Sequence, residues 1–205
     1  TARTDDFQKG NQYGFWCFPG LRHSQGWLGC AMSYKLMIML ARQQGMPTIS
    51  ICEDDVDFTG DFEQKLEQVY KYLGELGNGW DVFSGLMADF NPQANISAVA
   101  DRDGLRYVHT DKLISTVFNV YSESVFDVVA GWDESDLEVK SNTIDRYLEG
   151  QKQLRVVTTD PFLVGHKEDH HSTIWGFKNT QYNDLISSSN QILRAKVAEF
   201  TGGTA

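Results

Sequence analysis

Thr48-Ile49-Ser50-Ile51-Cys52-Glu53-Asp54-Asp55-Val56-Asp57 runs from a short β-rich segment straight into four carboxylates in five positions. The apolar and β-branched part reads as a strand, and the acids read as the turn that it feeds. Upstream, apolar residues crowd one side of 29–44, Gly45 gives a stop signal and Pro47 follows, which predicts a buried helix. Downstream, Phe62, Leu66, Val69, Tyr70 and Leu73 fall at helical spacing after the start signals Thr59 and Asp61. Gly74, Gly77 and Gly79 end that helix, and Trp80-Asp81-Val82-Phe83 reads as a second strand.

The pattern continues to the end of the chain. Residues 89–103, with Pro92 and Asn95, read as a long loop. Residues 105–109 and 115–121 read as strands, 122–130 as a helix closed by Gly131, 143–148 as a helix stopped by Gly150, and 154–157 as a late strand. Residues 1–25 lack periodicity and read as irregular. Residues 178–205 read as a C-terminal helix, over 182–200, with a tail. Strands alternating with helices predict a single α/β domain over 1–205, its central sheet mostly parallel and flanked by helices. In such sheets ligands sit at the carboxyl ends of the strands, where the acidic turn lies.

Composition narrows the function. The chain has 205 residues, 41% hydrophobic and 22% charged, which fits one folded domain. Lys plus Arg is 18 and Asp plus Glu is 28, a net charge of −10, so nucleic acid is a poor partner. Cys17, Cys30 and Cys52 form no Cys-x-x-Cys pair, which argues against a zinc knuckle. Cys52 in its apolar run reads as a reduced core residue, Cys17 and Cys30 stay open as a pair, and a reducing compartment is expected. The opening Thr1-Ala2-Arg3 shows no apolar signal segment and the chain no membrane span, so a cytoplasmic location is expected, peripheral to a membrane through a partner or a further segment.

Four adjacent carboxylates repel one another unless a cation joins them. Alternation along an extended segment sends Glu53 and Asp55 to one side and Asp54 to the other, with Asp57 continuing the parity of Glu53 and Asp55. Such a pair can grip one hard divalent ion and leave positions for phosphate and water. That is the need of an enzyme that breaks a sugar–diphosphate bond, where the ion offsets the charge of the departing diphosphate. A competing match is Asp55-Val56-Asp57-Phe58-Thr59, which resembles the Asp-x-Asp-x-Thr nucleophile loop of haloacid-dehalogenase-like phosphatases. There Asp55 would attack phosphorus, Asp57 would be the acid/base, and the turn at Asp133 and Asp136 would supply a later acidic pair.

The stretch Gly26-Trp27-Leu28-Gly29-Cys30-Ala31-Met32-Ser33, followed by Ile51-Cys52-Glu53-Asp54-Asp55-Val56, resembles glycosyltransferase family 25, which includes lipopolysaccharide glycosyltransferases and procollagen galactosyltransferases. Trp80-Asp81-Val82-Phe83, Phe118-Asn119-Val120-Tyr121-Ser122, Ile144-Asp145-Arg146-Tyr147-Leu148 and Asp160-Pro161-Phe162-Leu163-Val164, with Ser172 after it, keep the family's order. Tyr34 stands where the family has His, and the family's opening strand is reduced to Ala2-Arg3-Thr4-Asp5. The resemblance implies a GT-A-like (Rossmann-like) fold and transfer of a hexose, galactose or glucose, from a UDP-sugar to a glycan or protein-linked acceptor, with inversion. It implies Mn²⁺ or Mg²⁺ as cofactor. Glu53, Asp54 and Asp55 would form the donor motif, with Ser33 and Lys167 beside it. Asp55, Glu53 and Asp57 would hold the metal, with a late His: among His166, His170 and His171, His166 is preferred because it directly follows an apolar run. Asp145 is the expected general base, with Asp133 and Glu134, beside Trp132, as rivals. Trp27, Trp132 and Trp175 each read as core. A third option is a non-catalytic protein that keeps the fold.

Overall fold

The computed structural model describes residues 2–167 and 182–202. In chain order the elements are α1 (Ala2–Gly10), α2 (Gly26–Gln43), β1 (Thr48–Cys52), β2 (Val56–Phe58), α3 (Phe62–Leu76), β3 (Val82–Ser84), β4 (Ile96–Arg102), β5 (Leu105–Thr110) and β6 (Phe118–Ser122). A 3₁₀ turn (Glu123–Val125) leads into α4 (Phe126–Ala130). Then come α5 (Val139–Asn142), α6 (Ile144–Glu149), β7 (Val156–Asp160), β8 (Val164–His166) and α7 (Tyr182–Phe200).

The six-stranded sheet has the order β1-β6-β3-β7-β5-β4, and β2 pairs with β8 in a separate two-stranded ribbon. The expected mostly parallel sheet is corrected here. Only β3 and β7 pair in parallel; the other four pairings in the large sheet are antiparallel. Two strands cause this: β6 returns between β1 and β3 and opposes both, and β5 lies between β7 and β4 and opposes both. Even so, β1, β3 and β7 run in the same direction, so their carboxyl ends open at one edge. The loops after all three meet there, and the rule that ligands gather at strand carboxyl ends holds in this reduced form.

Helices cover both faces of the sheet. Every residue of β6 is buried. Alternation sends Phe118 and Tyr121 to opposite sides. Phe118 meets Phe62 of α3 edge-on at 5.4 Å, and Tyr121 meets Tyr34 of α2 at 6.2 Å. Farther along α3, Tyr72 stacks on Tyr107 of β5 at 3.9 Å. Phe62, Val69 and Leu73 of the expected stripe of α3 are buried and Leu66 is half-buried, but Tyr70 is exposed and Tyr72 is buried in its place. Trp132 is almost wholly enclosed, its indole N–H donating to Asn142 O at 2.9 Å.

Two further expectations change. Residues 1–25 are not wholly irregular, because 2–10 form α1, which lacks a strong amphipathic pattern and is held by contacts with the rest of the fold. The long loop at 89–103 contains β4, which pairs with β5 across the Asp103-Gly104 turn, where φ is +50° and +85°. Two adjacent residues with positive φ are the signature of a tight two-residue hairpin. Cys17, Cys30 and Cys52 are all free thiols, so Cys17 and Cys30 do not pair. No helix among the described residues is long and apolar enough to cross a membrane.

Gly29 and Ser33 tie the loop before α2 to that helix. Ser33 Oγ donates to Gly29 O and accepts from Leu21 N, both at 2.7 Å. A Cβ on Gly29 would lie 2.5 Å from Leu21 O, so only glycine allows the approach. Ser33, expected at the donor, is thus a buried clamp and lies off the cavity described below. Gly29→Ala and Ser33→Ala are each expected to destabilise the fold by about 1–3 kcal/mol, read as a lower urea midpoint. An unchanged midpoint would show that the clamp is slack.

Candidate active site

β1 ends at Cys52, and Glu53 N donates to Val117 O at 2.9 Å, so the acidic turn leaves the sheet beside the start of β6. The β2–β8 ribbon then folds the chain back. Its register sets Val56 opposite His166, and Lys167 N donates to Asp55 O at 2.8 Å. Asp55 and His166 therefore become neighbours although 111 positions separate them in sequence (166 − 55). His166 Nε2 lies 3.5 Å from Asp55 Oδ2. Tyr182, the first residue of α7, stacks on the His166 ring at 4.4 Å and 27°.

These residues line one cavity of about 430 Å³. Glu53 and Asp55 of the acidic turn and His166 of β8 line it. So do Trp27 and Cys30 of α2 and Asp89 from the loop after β3. Lys140 of α5 and Asp145 and Arg146 of α6 complete this part of the lining. Asp145 Oδ1 accepts from Arg146 N at 2.9 Å, and Arg146 reaches Asp89 at 3.5 Å and Glu149 at 3.1 Å.

The two donor-side carboxyls differ in charge. Burial pushes Glu53 up from 4.5 to about 7, aided by the charge of Asp55, while a hydrogen bond from the Thr116 hydroxyl pulls the other way. Burial also pushes Asp55 up, but the His166 contact and the Arg3 guanidinium outweigh it and hold Asp55 below its ordinary value. A Glu53 carboxyl that holds its proton more tightly than Asp55 lets the two line one cavity with less repulsion than two fully charged anions. Glu53 binds its proton more tightly folded than unfolded, so its contribution to stability is present below 4.5 and is lost as pH rises to about 7. Glu53→Gln is expected to flatten that decline and to raise stability at about pH 8 by roughly 1–3 kcal/mol. Melting curves across that range check it; a slope retained in the variant would reassign the titration.

The remaining acids fall elsewhere. Asp54 is bound by Arg3, and Asp57 is exposed on β2 against Gly165; neither lines the cavity. Asp133 caps its own turn by accepting from Ser135 N at 2.9 Å, and Glu134 is exposed beside it; both also lie off the cavity. The structure therefore does not join Asp55 with Asp57 or Asp133 as a phosphatase arrangement requires. Lys167 Nζ reaches Asp6 at 3.5 Å. His170, His171, Ser172 and Trp175 lie outside the described residues. Trp132 is core, as expected, whereas Trp27 is buried and also borders the cavity. Sequence reasoning missed Tyr182, Thr116 and Arg3, each carried to the site by tertiary contacts with no local motif.

Among the described residues, no three His, Cys, Asp or Glu side chains form a ready metal group. The smaller set still fits a divalent ion. Asp55 Oδ1 and His166 Nδ1 are both buried without a hydrogen-bond partner, and the two side chains are adjacent. One carboxylate and one imidazole leave the other positions to diphosphate and water, as Mg²⁺ and Mn²⁺ sites commonly do. The imidazole favours Mn²⁺ over the more strictly oxygen-seeking Mg²⁺.

No curated protein matches the chain. Residues 19–93, which hold α2, β1, the acidic turn and α3 but end before Asp145 and His166, match the model of glycosyltransferase family 25 (LPS biosynthesis protein), and this similarity supports a glycosyltransferase.

Proposed function

We propose that this chain is a metal-dependent glycosyltransferase of GT-A type that moves a hexose from a UDP-sugar to a glycan acceptor with inversion. The observation that carries the reading is one cavity lined by Asp55 beside His166 and also by Asp145 from α6. Asp55 and His166 would hold Mn²⁺ or Mg²⁺, which when bound offsets the negative charge gathering on the leaving diphosphate. Glu53, pushed up by burial and hydrogen-bonded by Thr116, would repel the donor phosphates less than an acid at the ordinary carboxylate value. Asp145 takes the proton of the acceptor hydroxyl while its oxygen bonds to the anomeric carbon from the side opposite the diphosphate. The bond from that carbon to the diphosphate oxygen breaks, and UDP leaves with the electron pair. Lys140 and Arg146, which line the cavity with Asp145, would lie on the acceptor side.

Calorimetric titration of UDP and a panel of UDP-sugars, with and without Mn²⁺, tests the reading. Metal-dependent UDP binding is expected. Binding of no sugar nucleotide under any condition would end it, and phosphate release from simple phosphate esters would move the assignment to a phosphatase.

A further inference from the structure

Helix α1 lays a cation across the acidic turn. Arg3 Nε donates to Asp54 Oδ2 at 3.1 Å, and Arg3 Nη2 donates both to Asp54 Oδ1 and, at 2.8 Å, to Asp55 Oδ2. Only 16% of the Arg3 side chain is exposed. Phe7 of the same helix is buried in the core, and Asp6 meets Lys167, which directly follows His166. The repulsion within Glu53-Asp54-Asp55, which the sequence leaves for a metal to relieve, is thus already relieved in part by this guanidinium.

Asp55 Oδ2 has Arg3 on one side and His166 on the other. A divalent ion approaching Asp55 would share its carboxylate with a guanidinium, and two cations within a few ångströms in a partly buried wall repel strongly. The planar fork that grips two carboxylates at once is special to arginine, so the contact is specific as well as attractive. We propose that Arg3 is a latch on the donor site: it neutralises the Asp54–Asp55 pair before substrate arrives, and the incoming divalent ion displaces it and loosens α1 from the turn. This rests on the metal-dependent reading above.

The probe is Mn²⁺ alone and then Mn²⁺ with UDP. Free Mn²⁺ is followed by its electron paramagnetic resonance signal, and hydrogen–deuterium exchange is followed over 2–10. Arg3→Ala is expected to bind Mn²⁺ about tenfold more tightly than the unaltered chain, with Arg3→Lys in between. In the unaltered chain, Mn²⁺ is expected to speed exchange in α1. If the unaltered chain binds Mn²⁺ while Arg3→Ala gains nothing and α1 exchange stays constant, the latch is wrong and the metal reading survives. If neither chain binds Mn²⁺, with or without UDP, both ideas fall. Should Arg3→Ala fold poorly, exchange in the unaltered chain decides alone.

Discussion

Asp55→Ala is expected to lower glycosyl transfer roughly 10³-fold and to remove metal-dependent UDP binding. Asp55 is buried, faces His166 and keeps an unpartnered carboxylate oxygen. Truncation removes the carboxylate that His166 and Arg3 both contact. Asp55→Asn separates charge from shape, because the amide fills the same space and loses the anion; it is expected to fall nearly as far as Asp55→Ala. Asp57→Ala is the internal comparison. Asp57 is exposed and off the cavity, so its loss should change transfer by no more than about twofold. A phosphatase built on Asp55 and Asp57 would lose activity in both. Full transfer by Asp55→Asn at saturating Mn²⁺ would remove Asp55 from the donor site.

The parts of this arrangement that sequence revealed are those set by local pattern. The strand into Glu53 and the amphipathic helix at Phe62 follow from periodicity over a few turns. The parallel-sheet reading failed at β6, since an apolar run such as Phe118-Asn119-Val120-Tyr121 shows that a strand is buried but not its direction. β4 was legible in principle: Asp103-Gly104 between two β-rich runs is a strong hairpin signal, outweighed in the reading by Pro92 and Asn95 upstream. His166 was chosen for following an apolar run, yet its meeting with Asp55 depends on the register of the β2–β8 ribbon, which no local window encodes. Arg3 had no signal at all. The need for a cation at the turn was readable from charge, but its supply by a helix about fifty residues upstream was not.

At Asp145 the expected result is a split between binding and turnover. Asp145→Asn should lower kcat by about 10²–10⁴-fold, because the acceptor hydroxyl then has no positioned base. UDP and Mn²⁺ affinity should stay within about threefold, since Asp145 comes from α6, whereas Asp55 and His166 come from the acidic turn and β8. The carboxyl sits in the first turn of α6, where it accepts from Arg146 N at 2.9 Å. Its charge is felt across the cavity, helping burial push the Cys30 thiol and the Glu53 carboxyl upward. The upward push on Glu53 eases the repulsion between the two carboxyls and toward the diphosphate. Asp133→Asn and Glu134→Gln, on the exposed turn, should leave kcat nearly unchanged. Loss of UDP binding together with turnover in Asp145→Asn would mark a donor-side role, and unaffected turnover would pass the base to another group lining the cavity.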